Sequence, residues 1–431
     1  MPRKDVALLV SAFVWLLALI TALGKASALL DDDWPPDPAT YPPGRVVAID
    51  LGNTNSCVAG YESGETTQTM FHHCIPSWVA FAADGAVLVG EDAVHHDAVN
   101  PEAAVFGFKR LLGKRFTRVF EQEFAKSAKE NLPYKVVEEN VQLHIEVKTA
   151  KDGAVRNVGV EQLTAVVLTK LKETAEAHLG HRVEDAILTL PLQFSDDASR
   201  SAAVFAGRLA GLKAVRVGLS EPVAAAIAYG LSRNLRDEGN VVVLHVGGGT
   251  AEANVMTFVD GVYEALSSQY DPFFGGQDFD RRIVDHFVQL IRDKHGKDIA
   301  NDGMALSKLR IACELAKKTL SHQEHAQVSI EWLVDGVDLS EPLTRAEFEE
   351  LNHDLFLKVV EMVDRVVSQA EVETIDEVLL IGGSTMIPKV RELIRDYFGG
   401  TKAVLHSRLK PDEVVTIGAV EYSKRHDALC T

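Results

Sequence analysis

Three consecutive glycines between two strand patterns constrain this chain more than any other feature. In VVVLHVGGGTAEANVM, running from Val241 to Met256, an aliphatic run breaks at Gly247-Gly248-Gly249-Thr250, and a second strand pattern follows from Asn254 to Phe258. Bare glycine backbone lets a ligand approach closely, and successive N–H groups in such a turn converge on an anion, most often a phosphate. Taken alone, the run reads as a plain hairpin turn.

A second copy changes that reading. VVAIDLGNTNSCVAGY, from Val46 to Tyr61, repeats the order of aliphatic strand, glycine turn (Gly52-Asn53-Thr54) and strand. Neither turn opens a helix, which separates both from a P-loop or a dinucleotide fingerprint. Two such hairpins, far apart in the chain, predict a duplicated α/β fold whose halves grip a polyphosphate between them.

Length and charge agree with that picture. The 431 residues suffice for two or more packed lobes. A formal net charge of -18 argues against a nucleic-acid partner, which calls for a basic patch. The four cysteines, Cys57, Cys74, Cys313 and Cys430, lack metal-ligand spacing. A Cys57–Cys74 bridge is open to an oxidising compartment, but buried free thiols are the expectation. Arg3 and Lys4 precede an apolar run from Val6 to Leu23, and Ala26-Ser27-Ala28 offers a small-residue cleavage site. Residues 1–28 therefore read as a signal peptide, with an uncleaved anchor as the alternative. Residues 29–44, rich in Asp and Pro, read as an extended linker, and the globular part begins near Arg45.

Strand and helix patterns alternate from there. Helices are expected over Val160–Leu179 and Ala198–Leu212, and a short buried strand over Ala186–Leu190. Glu221-Pro222 opens an alanine-rich helix whose small side chains admit a close neighbour. Phe274-Gly275-Gly276 leads into a helix to about Asp293. The next helix carries Leu306, Leu309, Cys313, Leu315 and Leu320 as an apolar set, with Lys317 and Lys318 on its polar side. Val378 to Ile381 form a strand that ends in Gly382-Gly383-Ser384 and runs into a helix through Ile387, Val390, Leu393 and Ile394. A strand–glycine–helix turn aims helix N-terminal N–H groups at a ligand.

The stretches IDLGNTNSCV, PSWVAF, NPEAAVFGFKRLLGKRF, LTKLKETAEAHLG, SEPVAAAIAYGL, VGGGT, FGGQDFDRRIV, GVDLSEPLTRAEFEELNHDLF and IGGSTMIPKVRELIRDYF resemble the 70-kDa heat-shock chaperone family. SEPLTRAEFEELN and the leader point to its endoplasmic-reticulum branch, with a plant-like cast. The resemblance runs from about Arg45 to about Val420. It implies an actin-like ATPase fold, two lobes from a duplicated domain with a central nucleotide cleft. The lobes are expected at 45–232 and 233–425. The family's peptide-binding domain and a terminal retention signal find no counterpart in this sequence, so chaperoning by a peptide clamp is not expected of this chain alone.

The resemblance also implies a site. Asp50 matches the metal-side carboxylate, acting through water, and Lys109 the lysine of the catalytic centre. Glu221 matches the acid near the metal and the attacking water. Gly52, Asn53 and Thr54 match the first phosphate loop, and Gly247, Gly248, Gly249 and Thr250 the second. Glu314, Lys317 and Ser321 match the adenosine-facing helix, and Gly382, Gly383, Ser384 and Asp412 the rest of the nucleoside pocket. The implied cofactors are ATP or ADP with Mg2+, and the implied partners are J-domain cochaperones and nucleotide exchange factors.

Several positions depart from the family. His245 and Glu252 stand where it has aspartates, Asn53 and Asn55 where it has a threonine and a tyrosine. Met386 replaces a stacking arginine, and Lys318 another arginine. One residue is inserted around Phe194-Ser195-Asp196-Asp197. Two functional classes follow: a slow ATPase of the endoplasmic-reticulum lumen that serves protein folding or the unfolded-protein response, and a non-catalytic nucleotide-binding regulator that engages cochaperones.

Overall fold

The computed structural model describes residues 46–62, 69–116, 121–140, 142–148, 154–194, 196–231, 238–259 and 261–428. The leader, the Asp/Pro-rich linker, Arg45, Ser195, Cys430 and the expected boundary at 232/233 lie outside them.

Two five-stranded sheets organise the protein. The first contains β1 (Val46–Asp50), β2 (Asn55–Glu62), β3 (Thr69–Pro76), β4 (Asp185–Thr189) and β5 (Ala214–Arg216), in the order β5-β4-β1-β2-β3. The second contains β6 (Glu238–Val246), β7 (Ala251–Val259), β8 (Val262–Asp271), β9 (Glu377–Ile381) and β10 (Val404–His406), in the order β8-β7-β6-β9-β10. Reversing the second order superposes the two, strand for strand, so the duplication inferred from the hairpins holds for the whole sheets.

The equivalence reaches individual residues. In the first sheet Asp50 lies opposite Cys57 on antiparallel β2 and beside Thr189 on parallel β4. In the second, His245 lies opposite Glu252 on antiparallel β7 and beside Ile381 on parallel β9. Asp50 and His245 are thus the same position of the duplicated hairpin, each the last inward-aimed strand residue before its glycine turn.

Each sheet buries both faces, which is why β1, β4, β6 and β9 read as continuous aliphatic runs. Val47, Ile49 and Val58 pack with Leu163, Leu168 and Leu171 of α1 (Val160–Leu179). Val242, Leu244 and Val255 pack with Phe279, Ile283 and Phe287 of the helix over Gly276–His295. The alternate side chains, Ala48 and Ala59 from one sheet and Val241, Val243 and Met256 from the other, share a single core between the lobes.

Two helices fill that shared core. Following α2 (Asp197–Leu209), they are α3 (Glu221–Tyr229) and the C-terminal helix over Val414–Ala428. The backbones touch where they cross: a Cβ on Gly418 would fall 1.8 Å from the carbonyl oxygen of Ala224. The alanines of α3 are there because a second helix needs their room. No described helix is long and apolar enough to cross a membrane.

Three expectations are corrected. The helix predicted over Ala198–Leu212 starts at Asp197, capped by the Asp196 carboxylate accepting from Ser199 N–H at 3.0 Å, and ends at Leu209. In the helix over Gly303–Leu320, Leu315 is 65% exposed and Lys317 only 8%, the reverse of the predicted faces. The buried stripe runs through Leu309, Cys313, Ala316 and Leu320, and Lys317 falls within it. Finally, Cys57 and Cys74 form a disulfide rather than free thiols. The β2–β3 register sets them directly opposite one another, which puts their side chains within bonding reach. Cys313 is buried and free, as expected.

Candidate functional site

The ends of β1 and β6 point into one cavity of about 410 Å³ lined by residues of both lobes. Asp50, Lys109, Glu221 and His245 meet at its base. Four different elements bring them together. Asp50 ends β1 and His245 stands next to last on β6. Lys109 sits on a 3-10 turn, Phe108–Leu111, entered through Gly107 in the left-handed conformation. Glu221 is the first residue of α3, where the helix dipole favours a negative charge.

Glu221 is the hub. Lys109 Nζ donates to its Oε1 at 2.7 Å, and His245 Nδ1 stands 2.9 Å from its Oε2. Both acidic and basic partners are sequestered: Glu221 is fully buried and Lys109 nearly so. Burial alone would raise the Glu221 pKa, but the Lys109 ammonium and the His245 ring hold it well below the usual carboxylate range. Reciprocally, burial works against the imidazolium of His245, but the adjoining Glu221 carboxylate prevails and raises its pKa. Burial, and then the negative charge of Glu221, push Asp50 up to about 6 although Thr189 Oγ1 donates to it at 3.2 Å. Glu252 is pushed up to about 7 by the same two causes in the same order.

The two glycine turns face each other across the cavity. Gly248 lies so close to Thr54 that a Cβ would come within 1.8 Å of the Thr54 hydroxyl oxygen. Only glycine lets the turns of the two lobes approach this closely. The Thr54 hydroxyl is buried and has no hydrogen-bond partner. Asn53, the departure from threonine, serves the loop itself: with its amide turned to the orientation that satisfies both ends, it donates to Gly107 O at 2.9 Å and accepts from Arg110 Nη2 at 2.6 Å.

The far end carries the remaining expected residues. Glu314, Lys317 and Ser321 line it from one helix, and Gly382, Gly383, Ser384 and Asp412 from the opposite side. Lys317 Nζ is committed to Asp280 Oδ2 at 2.6 Å and to Gly276 O at 2.8 Å. Ser384 Oγ donates to Gly247 O at 2.8 Å, tying the third glycine turn to the second. Met386 and Lys318, the two nucleoside-side departures, both line the cavity.

Of the expected residues, the cavity wall takes in all but Gly249, which is directed at Asn53 and Arg110. His322, Ile387 and the Cys57–Cys74 bridge line it without having been singled out. The sequence singles out Glu252 only as a departure from the family. Its place beside His245 was legible from the hairpin, because a turn centred on Gly248-Gly249 pairs position 245 with 252.

Comparison with known proteins agrees with this geometry. Residues 46–423 match the model of the family described as Hsp70 protein. Over 379 residues the chain is 45% identical to heat shock 70 kDa protein BIP3 of Oryza sativa subsp. japonica, covering 87% of this chain and 55% of that protein. The chain thus spans about half the length of the curated relative it matches.

Proposed function

Because this chain belongs to the Hsp70 family, with its actin-like ATPase fold, we propose that its cleft binds ATP or ADP with Mg2+ and hydrolyses ATP slowly. The observation that carries the reading is the approach of Gly248 to Thr54 across the cavity. It brings the backbones of two glycine turns, one per lobe, together at the wall of one cavity, where a polyphosphate could be gripped from both sides.

The residues present fit the ligand. Thr54 keeps a buried hydroxyl free to bond a phosphate oxygen. Lys109 supplies the buried cation and Asp50 a carboxylate able to hold hydrated Mg2+ through water. Bound Mg2+ would neutralise charge developing on the phosphates. Glu221, fixed by Lys109, is placed to orient an attacking water. Binding is expected to be weaker than in relatives that carry a stacking arginine where this chain has Met386.

One observation favours the non-catalytic reading as a second possibility: His245 brings a ring that Glu221, against the opposing effect of burial, holds towards its cationic form to the spot where the family has an anionic carboxylate. A cation there opposes Mg2+ and engages the acid that would orient water. Under either reading the protein acts in the endoplasmic-reticulum lumen, with J-domain cochaperones and nucleotide exchange factors as partners. Peptide binding is not assigned to this cleft.

Thermal melts and single-turnover hydrolysis test the proposal. Millimolar ATP or ADP with Mg2+ should raise the melting temperature by mass action. Absence of a shift with both nucleotides would overturn the binding. Binding without hydrolysis would select the regulatory reading.

A further inference from the structure

Glu221, His245 and Glu252 place one carboxylate oxygen, one ring nitrogen and a second carboxylate oxygen within 4.8 Å of one another. From this juxtaposition we propose that the cleft holds a divalent transition metal of the zinc class, ligated directly by these three side chains in the absence of nucleotide.

The donors are available. Neither oxygen of Glu252 has a hydrogen-bond partner among the described residues, although the residue is only 1% exposed. A carboxylate buried without a partner carries a large desolvation cost, and a cation at its side removes that cost. Glu221 divides its two oxygens: Oε1 accepts from Lys109, while Oε2 is paired only with His245 Nδ1, at 2.9 Å, a nitrogen that itself becomes a ligand when the metal displaces its proton. A metal can therefore take Oε2 without displacing the lysine. Asn254, buried on the same face of β7 as Glu252, is likewise without a side-chain partner.

The spacing suits the ion. Zinc bonds of ~2.0–2.2 Å to nitrogen and oxygen put tetrahedral ligands roughly 3.3–3.6 Å apart. His245 and Glu221 already approach closer than that, at 2.9 Å, and Glu252, within 4.8 Å of both, has at most about 1.5 Å to close. Three protein ligands leave a fourth position open to water or to a phosphate oxygen.

The ligand type selects the metal. Magnesium demands oxygen and keeps its own water, whereas imidazole suits zinc, cobalt and nickel. The same position with an aspartate would offer only hard oxygen donors, so the selectivity comes from His245. Asp50 adds a further carboxylate nearby, against which Lys109 is the opposing cation. The group of Cys57, His72 and Cys74 also clusters, but the disulfide occupies both sulfurs.

Titration of the intact, chelator-treated and nucleotide-free chain tests the site. Zinc alone should bind at one equivalent, cobalt should give the visible absorption of a tetrahedral site, and excess magnesium should displace neither. H245A and E252Q should each weaken zinc by more than tenfold with the far-UV spectrum unchanged, and H72A should leave it unaltered. No binding at 100-fold molar excess over the chain, or binding that survives both H245A and E252Q, overturns the assignment. Because no nucleotide is present, this result is independent of the nucleotide melts.

Discussion

His245 Nδ1 stands 2.9 Å from Glu221 Oε2, so the first helix residue of the shared core and the end of the central strand of the second sheet meet in one ion pair. The same Glu221 holds Lys109 through its other oxygen. A lysine from the first lobe and a histidine from the second are thus joined through one buried carboxylate, and any change at the cleft base acts on both lobes.

Replacing His245 with aspartate should raise the single-turnover hydrolysis rate at saturating ATP, with affinity changed less than rate. A unit charge ~4 Å from a cation is worth up to about 4 kcal/mol at an effective dielectric near 20, an upper bound of roughly a thousandfold in rate. Removing Glu221 in the same background should abolish the gain. The variant without nucleotide should melt lower than the parent, because a new carboxylate would face Glu221 and Glu252. A rate no faster than the parent would place the block at Asn53 or Asn55 instead.

Gly248→Val should abolish nucleotide-dependent stabilisation while leaving the secondary structure intact. Its Cβ would lie 1.8 Å from the Thr54 hydroxyl oxygen, so the turns must part. Pairing it with Thr54→Ala should relieve only part of the clash, since the Thr54 Cβ is itself 2.5 Å away. Melts with and without ATP and Mg2+ read the outcome, and an undiminished shift in the single variant would contradict the facing of the turns.

Gly418→Val should destabilise the fold rather than the site. The Cβ would fall 1.8 Å from Ala224 O, a backbone atom that cannot swing aside. Overpacking of this kind costs about 1–3 kcal/mol or more. Denaturant unfolding should show the midpoint lowered, and a smaller residue opposite, at Ala225 or Ala226, should not restore it.

Nucleotide-free stability should fall as pH rises from about 5 to about 8. Asp50 and Glu252 have folded pKa values raised to about 6 and about 7, above their unfolded values of 3.8 and 4.5. The folded state therefore binds more protons than the unfolded state between those limits, and ionising the pair costs stability as pH increases. His245 adds the same sign: its raised pKa contributes stability that is present below the unfolded value and lost as pH rises through the folded one. Glu252→Gln should flatten the profile of melting temperature against pH; an unchanged slope would remove Glu252 from the account.

Reducing the Cys57–Cys74 bridge, or replacing both cysteines with serine, should lower the melting temperature. Closing a loop of 17 residues is worth about 3 kcal/mol in the chain-entropy account. Melts with and without a reductant would show the difference, and equal values would mean that the bridge contributes nothing to stability.

The glycine turns were legible in the sequence because their demand is local. A chain that reverses direction with bare backbone between two aliphatic strands announces both the hairpin and its close approach, and the aliphatic runs of β1, β6 and β9 announce their burial. The equivalence of Asp50 and His245 came from the sheet registers, although each stands two residues before the first glycine of its turn. What the resemblance implied of Lys109, Glu221 and the nucleoside side was equally a property of motifs in order.

Tertiary structure decided the rest. That Lys317 points into the cleft and Leu315 into solvent depends on Asp280 of a different helix, which offers the lysine a partner where periodicity predicted a polar face. That Cys57 and Cys74 bond depends on the register between β2 and β3, set by the whole sheet. The charge state of the cleft base depends on burial and on distances among residues 50, 109, 221, 245 and 252, which no local pattern encodes. A sequence records which groups are available along one dimension; only folding in three fixes the few ångströms on which electrostatics and bonding act.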